Sequence, residues 1–463
     1  MELALIDRHA WNKSSLPSAV WLTALGICLG AGLAAVWWGW GWAFAPLVVA
    51  AALVCVFQPV WGLYLLVAAL FFPYEIIPDT HAYPADGILF LVVIGFWLRR
   101  AKEGKSGLVR TPLDVPLALW LGILALSLVN AYDVPRGVIN WLRHVQLLLL
   151  FYAVAGIADT KLSARLLRVF IIITIALAGI NIVRFVQSGG AERVYGIARL
   201  SFNGLLTIAI VYLAARFCFE PRPWPALVYG TLLVLAALGQ IANQSRAAIG
   251  ASGIGAILVL ILAWTWGNKR FGPLPRARAT QIMTAGLLSV ALGVLFSHSL
   301  LQITFERFEG ALGAATTLHY RYFLWKTAVA SFLQYPVLGI GLGQVQVWEY
   351  ILPTIRLDPI GRLTYGLGTH LEFLKYLAET GIIGTAAFLW VLVRAARLAI
   401  QFIRQCHTPA LAGHLLGINA VVLIIILRAF LEGHMFYAIS GMTTALFFGF
   451  LAAHWREQVQ ERV

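Results

Sequence analysis

A single histidine, His370, stands where a long stretch between apolar runs gives way to the next run, and two arginines also lie outside the runs, Arg246 in the short turn NQSR and Arg321 within that long stretch. An imidazole with an ordinary pKa of about 6.5 is largely neutral near pH 7 and can take a proton from a hydroxyl. A guanidinium presents a planar fork of donors that suits phosphate oxygens. Together these residue types fit transfer of a group from a phosphate to a hydroxyl: a base removes the proton while fixed cations hold the charge growing on the departing phosphate. Arg193 and Arg199, in the segment ERVYGIARLSFNG, form a third basic cluster able to extend such a cradle or to hold phosphates of a second substrate. Each residue also has a plainer reading. A boundary histidine is often structural, and arginines at the ends of apolar helices anchor in lipid headgroups.

No DxD pair accompanies these cations, and the four cysteines include no CxxC spacing. Neither a metal site nor a disulfide framework is indicated, and no cofactor is expected. Two charge-assisted contacts, each contributing roughly 1.5 to 3 kcal/mol, can do for a diphosphate what a magnesium ion does elsewhere.

The elements that must position these groups are membrane helices. Of 463 residues 60% are hydrophobic and only 12% charged, too little polar surface to cover a water-soluble globule of this size. Apolar runs recur at 20–37, 42–57, 60–73, 87–98, 113–130, 140–158, 169–186, 199–217, 225–242, 247–266, 280–298, 371–393, 411–428 and 437–454. A span needs about 20 apolar residues. The runs at 42–57 and 60–73 are short and joined only by Gln58 and Pro59, so they form either one re-entrant hairpin or one broken span. Twelve to fourteen spans are expected, beginning with a retained first span after Arg8 and Lys13.

With the N-terminus inside, alternate loops collect 21 of the 34 Lys and Arg residues, which places both termini in the cytoplasm. The other 13 lie outside or within the membrane, and all but Lys326 and Lys375 are arginine. An outward excess of arginine runs against the topology rule and points to phosphate. The net charge of +14 is thus a matter of sidedness, and no nucleic acid partner is expected.

One outer stretch, 299–370, is far longer than an ordinary connection. Within it the text from Thr317 sets Leu318, Trp325, Ala328, Val329 and Phe332 at helical spacing up to Pro336, which predicts an amphipathic interfacial helix near 317–335. That helix either caps the bundle or covers a cavity and aims Arg321 inward. The following GIGLGQ, Gly339–Gln344, lacks the GxGxxG spacing of a nucleotide loop and reads as a flexible turn. Glu379 lies nine residues after His370, about 13 Å along a helix, too far to orient the imidazole. It reads instead as a carboxylate within the membrane paired to another span. Glu432 and His434, near Arg428, form a last outer cluster that reads as structural.

The order Arg321, Trp325, Pro336, Gly339, Gly341, Gly343, then His370, Leu374, Glu379, Gly381 and Gly384 resembles the signature of the bacterial O-antigen ligase and polymerase family. Leu371 departs from the polar residue usual after the motif histidine in ligases. The resemblance implies an all-α polytopic transmembrane bundle of the GT-C glycosyltransferase type, working without metal. It further implies an undecaprenyl diphosphate-linked O-antigen as donor and lipid A-core as acceptor. The implied roles are His370 as general base and Arg246 and Arg321 as diphosphate ligands, with Arg193 and Arg199 placed to extend that cradle or to hold acceptor phosphates. An inner-membrane monomer is expected, with its site at the periplasmic face, a bundle at 1–298, the loop at 299–370 and further spans at 371–463. An O-antigen polymerase, which uses the same donor, and a protein O-oligosaccharyltransferase are the nearest rivals. A transporter would instead show paired midplane charges and repeated halves.

Overall fold

The computed structural model describes residues 40–72, 83–105, 108–188, 202–296, 317–345, 369, 371–403, 406, 408–431, 435 and 438–460. Every regular element among them is a helix. In chain order these are α1 (Trp40–Phe57), α2 (Pro59–Ala69), α3 (Pro84–Lys102), α4 (Asp114–Ser127), α5 (Val134–Ile157), α6 (Thr160–Gln187) and α7 (Phe202–Phe219). There follow α8 (Pro223–Asn243), α9 (Arg246–Leu262), α10 (Leu274–Phe296), α11 (Thr317–Gln334), α12 (Glu372–Ile403), α13 (Pro409–Ala429) and α14 (Ala438–Gln460). α9 runs on through a π-turn at Ala263–Gly267. The all-α polytopic bundle expected from hydropathy is the architecture found. Among the described residues six helices are long and apolar enough to cross a membrane. The expected span at 20–37 lies outside the described residues.

Proline opens α2, α3, α5, α8 and α13, where its missing N–H is not needed and its fixed φ favours the helix. Asp133 caps α5 by accepting from the Arg136 amide at 3.0 Å. Between α1 and α2 the chain doubles back. A Cβ on Gly62 would lie 3.3 Å from that of Cys55, seven residues earlier, whereas seven residues of continuous helix rise about 10 Å. Of the two readings of 42–73, the hairpin is therefore correct.

Loops that the charge count grouped together do share a face. The guanidinium of Arg456, near the end of α14, donates to the carbonyls of Gly156 (2.8 Å) and Ala158 (3.0 Å) between α5 and α6. Arg216 at the end of α7 donates to Ala410 at the start of α13 (3.0 Å). Just inside this basic face, Ser163 accepts from the Nε2 atoms of His414 (3.0 Å) and His454 (3.1 Å). Its own hydroxyl donates to Thr160 (3.1 Å), and the Tyr212 hydroxyl reaches His414 Nδ1 (2.9 Å), which knots α6, α7, α13 and α14 together.

Within the bundle, packing rather than water exclusion holds helices together, so small residues mark the closest approaches. A Cβ on Gly239 would come within 2.6 Å of Ala178, and one on Gly449 within 2.6 Å of Val154. Phe71, Phe170, Phe219, Phe388, Phe447 and Phe450 fill the main core. A second, separate core of Ala328, Ile340, Val345 and Ala378, with Leu374 against it, joins α11 to the start of α12.

α12 is broken at Gly381 (φ 64°, ψ −163°). The turn Pro336–Gly341 fills the gap. The N–H groups of Ile340 and Gly341 donate to the carbonyls of Ala378 (3.0 Å) and Glu379 (2.9 Å), and the Ile382 N–H donates to Pro336 (2.9 Å). Backbone groups freed by the break are thus satisfied within the protein, the condition for irregular chain at membrane depth.

Candidate functional site

Arg321 sits on α11 three, four and seven residues before Leu324, Trp325 and Ala328, so it shares their inward face. Its Nε is buried and has no hydrogen-bond partner among the described residues. The buried stripe of α11 is Leu324, Thr327, Ala328 and Ser331, while Val329, expected inside, is 42% exposed. Hydropathy misplaced the stripe because two of its members carry hydroxyls, and that of Ser331 is satisfied by the Thr327 carbonyl at 2.9 Å.

One turn beyond Arg321, the Trp325 indole N–H donates to the carbonyl of Thr369 at 3.2 Å. Thr369 is buried, and its hydroxyl donates to the Leu371 carbonyl at 2.8 Å. The helix carrying Arg321 is therefore docked on the residues that flank His370. His370 itself, Arg193, Arg199, Glu432 and His434 lie outside the described residues.

Arg246 is the first residue of α9, and its backbone, but not its side chain, is described. The turn before it is tight, with Gln244 left-handed at φ 55°. α9 is tied to α7 one turn in, where the Thr207 hydroxyl approaches the Ala248 carbonyl at 3.4 Å and Ser252 donates to Thr207 at 3.1 Å. α7 in turn meets Arg428, since a Cβ on Gly204 would lie 2.6 Å from its Nη1. The ring of Phe430 then stacks on Phe373, three residues after His370, with centroids 6.0 Å apart. These contacts link the start of α9, the end of α13 and the His370 segment along one end of the bundle.

The glycine turn is not the flexible surface turn expected. Residues 339–345 are all buried, and Gly339, Gly341 and Gly343 have φ of +70°, +101° and +77°. Gln344 clamps it to the start of α5, accepting from the Asp133 amide (2.8 Å) and donating to the Asp133 carbonyl (2.9 Å), while Asn130 donates to Gly339 (2.9 Å). The expectation that Glu379 pairs with another span is corrected as well. Its carboxylate accepts from the Val345 amide of this turn at 3.3 Å. A buried carboxyl group needs donors, and the N–H groups of a tight turn supply them.

Several groups at or packed against the start of α12 carried no sequence signal. The Tyr376 hydroxyl is 2.8 Å from His144 Nε2, and His144 Nδ1 is 2.7 Å from the Asn140 carbonyl, which can only accept. In its neutral form His144 therefore carries its proton on Nδ1 and accepts from Tyr376. The pair spans 232 positions of sequence, which no local pattern reveals. Glu372, fully buried two residues after His370, pairs with Lys375 at 3.5 Å. Beside His144, a partly open apolar pocket is lined by Trp120, Leu147, Phe151, Thr444 and Phe448 among others.

Residues 231–389 match the family model described as O-antigen ligase. Over this third of the chain the protein is similar to the O-antigen ligase family. The matched segment holds Arg246, Arg321, the glycine turn, His370 and the broken part of α12, and excludes Arg193, Arg199 and Arg428. The family match and the apolar helices together support a multi-pass membrane protein of the general O-antigen ligase or polymerase type. No curated protein matches the chain.

Proposed function

We propose that the protein transfers polymerised O-antigen from undecaprenyl diphosphate to a sugar hydroxyl of lipid A-core, at the periplasmic face of the inner membrane. The observation that carries this reading is the bond from Trp325 to Thr369, which docks the helix of Arg321 against the residue before His370 within the family-matched segment. In the proposed step His370 takes the proton of the acceptor hydroxyl, whose oxygen bonds to the anomeric carbon. The carbon–oxygen bond to the diphosphate breaks, and Arg246 and Arg321, with Arg193 and Arg199 extending the cradle, hold the departing anion. A single displacement of this kind inverts the anomeric centre.

The test uses purified protein in liposomes with a lipid diphosphate-linked glycan and lipid A-core, in the presence of EDTA. A glycan-extended lipid band is expected, reduced about 10²- to 10⁴-fold by His370→Ala. Ligation by that variant at the wild-type rate would remove His370 from the mechanism, and retained configuration in the product would rule out single displacement. Leu371, apolar where ligases of the family carry a polar residue, favours a second reading as a polymerase. Chain growth on donor lipid alone would select it.

A further inference from the structure

α7 and α14 both pack against α13 and leave between them a partly open cleft. Arg428, in the last turn of α13, and Gly204, near the start of α7, lie at its outer end. One turn deeper it is lined by Ile208, Ile425, Thr443 and Thr444. The threonine hydroxyls donate to carbonyls of the surrounding backbone, Thr443 to Ile439 (2.7 Å) and Thr444 to Ser440 (2.9 Å) and Met435 (3.1 Å). The depth of the cleft is therefore effectively apolar, and Arg428 is the one charged side chain among its described lining residues.

Gly204 fixes where that charge sits. The guanidinium lies against the bare α-carbon, in space a Cβ would occupy, and so reaches across from α13 to α7 over the mouth of the cleft. An apolar slot closed at its membrane-surface end by a cation is complementary to an amphiphile with an anionic head and a hydrocarbon tail. One cation over one apolar slot suits a single-tailed lipid better than a glycolipid with several acyl chains. The stacking of Phe430 on Phe373 sets this mouth beside the segment that carries His370.

We infer that the cleft between α7 and α14 binds the phosphate end and first isoprene units of the polyprenyl diphosphate donor, with Arg428 contacting the phosphate. This assignment rests on the transfer reading above and adds a site outside the family-matched segment.

The full chain in phosphatidylcholine nanodiscs, titrated with undecaprenyl phosphate and separately with undecaprenol, tests it. Arg428→Ala should weaken undecaprenyl phosphate binding at least about tenfold, as expected for loss of a charge-assisted contact, and leave undecaprenol unchanged. Ser440→Trp, which fills the cleft while keeping the cation, should weaken both lipids. Equal phosphate binding by wild type and Arg428→Ala, or full binding by Ser440→Trp, overturns the site. Equally effective displacement by phosphatidylglycerol or by lipid A-core also overturns it, in favour of a general anionic-lipid or an acceptor site. Should Arg428→Ala not purify as folded protein, Arg428→Lys and Ser440→Trp decide. His370→Ala should bind undecaprenyl phosphate like wild type. If wild type transfers no glycan yet lipid binding still depends on Arg428, the transfer reading fails and the site stands; transfer with binding insensitive to both cleft variants fails the site alone.

Discussion

The backbone N–H of Gly341 donates to the carbonyl of Glu379 at 2.9 Å, so the glycine turn and the break in α12 complete each other's hydrogen bonding. Neither half of that arrangement is stable alone. A helix cut at Gly381 leaves unpaired carbonyls and amides, and a turn of buried glycines leaves unpaired amides, at a depth where water does not compensate them.

Gly339→Ala is therefore expected to be severely destabilising. The new Cβ would lie 2.3 Å from the Glu379 carbonyl carbon at a residue with φ +70°. The left-handed backbone alone costs about 1–2 kcal/mol for a residue with a Cβ, and the clash adds to it. Gly250→Ala, with nothing within 4 Å, serves as the control. Thermal midpoints of the two detergent-purified variants check this, and a Gly339→Ala midpoint equal to that of the control would contradict the packing described.

Tyr376→Phe removes the donor to His144 Nε2 while keeping the ring against Trp120 and Phe388. A buried acceptor left unpaired costs about 1–3 kcal/mol. The double variant with His144→Leu should recover part of that loss. Additive losses in a thermal double-mutant cycle would mean the two side chains do not interact.

Trp325→Phe keeps most of the packing of α11 and deletes only the bond to Thr369. If that bond fixes the segment carrying His370, turnover should fall by up to about 10²-fold, as small misplacements of a reacting group can do. KM and thermal midpoint should stay near wild type. A fall in midpoint with normal kcat would assign Trp325 to stability alone.

Ser163→Ala takes away the shared acceptor of His414 and His454. Stability should drop by about 1–3 kcal/mol per unsatisfied donor. Because this knot sits near the basic face, away from the His370 segment, activity per folded molecule should not change. Lost specific activity in a sample of wild-type stability would tie the knot to the reaction.

Much of the bundle was legible because lipid imposes one simple demand, an apolar run of span length. The helix at Thr317–Gln334 followed from its spacing and from Pro336. What stayed hidden depends on contacts between distant positions. Gln344 meets Asp133 across 211 residues, and Tyr376 meets His144 across 232. The three glycines were visible as a pattern, yet their reason, a turn buried against a broken helix, lies in φ values and close approaches that composition does not encode. Arg428 was visible as one more outer arginine. Only the neighbouring Gly204 and the cleft below distinguish it.

The second core has a mechanical consequence. Ala328, Ile340, Val345, Ala378 and Leu374 bind α11, the glycine turn and the nine residues from Glu372 to Thr380 into one unit, into which the main core also reaches through Leu342 and Tyr376. Its fastenings to the bundle include a few polar latches, Asn130 on Gly339, Gln344 on Asp133 and Tyr376 on His144. Because Tyr376 and Leu342 are fully buried in the main core, loss of one polar latch leaves apolar packing to hold the unit in place, so each latch sets its register more than its cohesion.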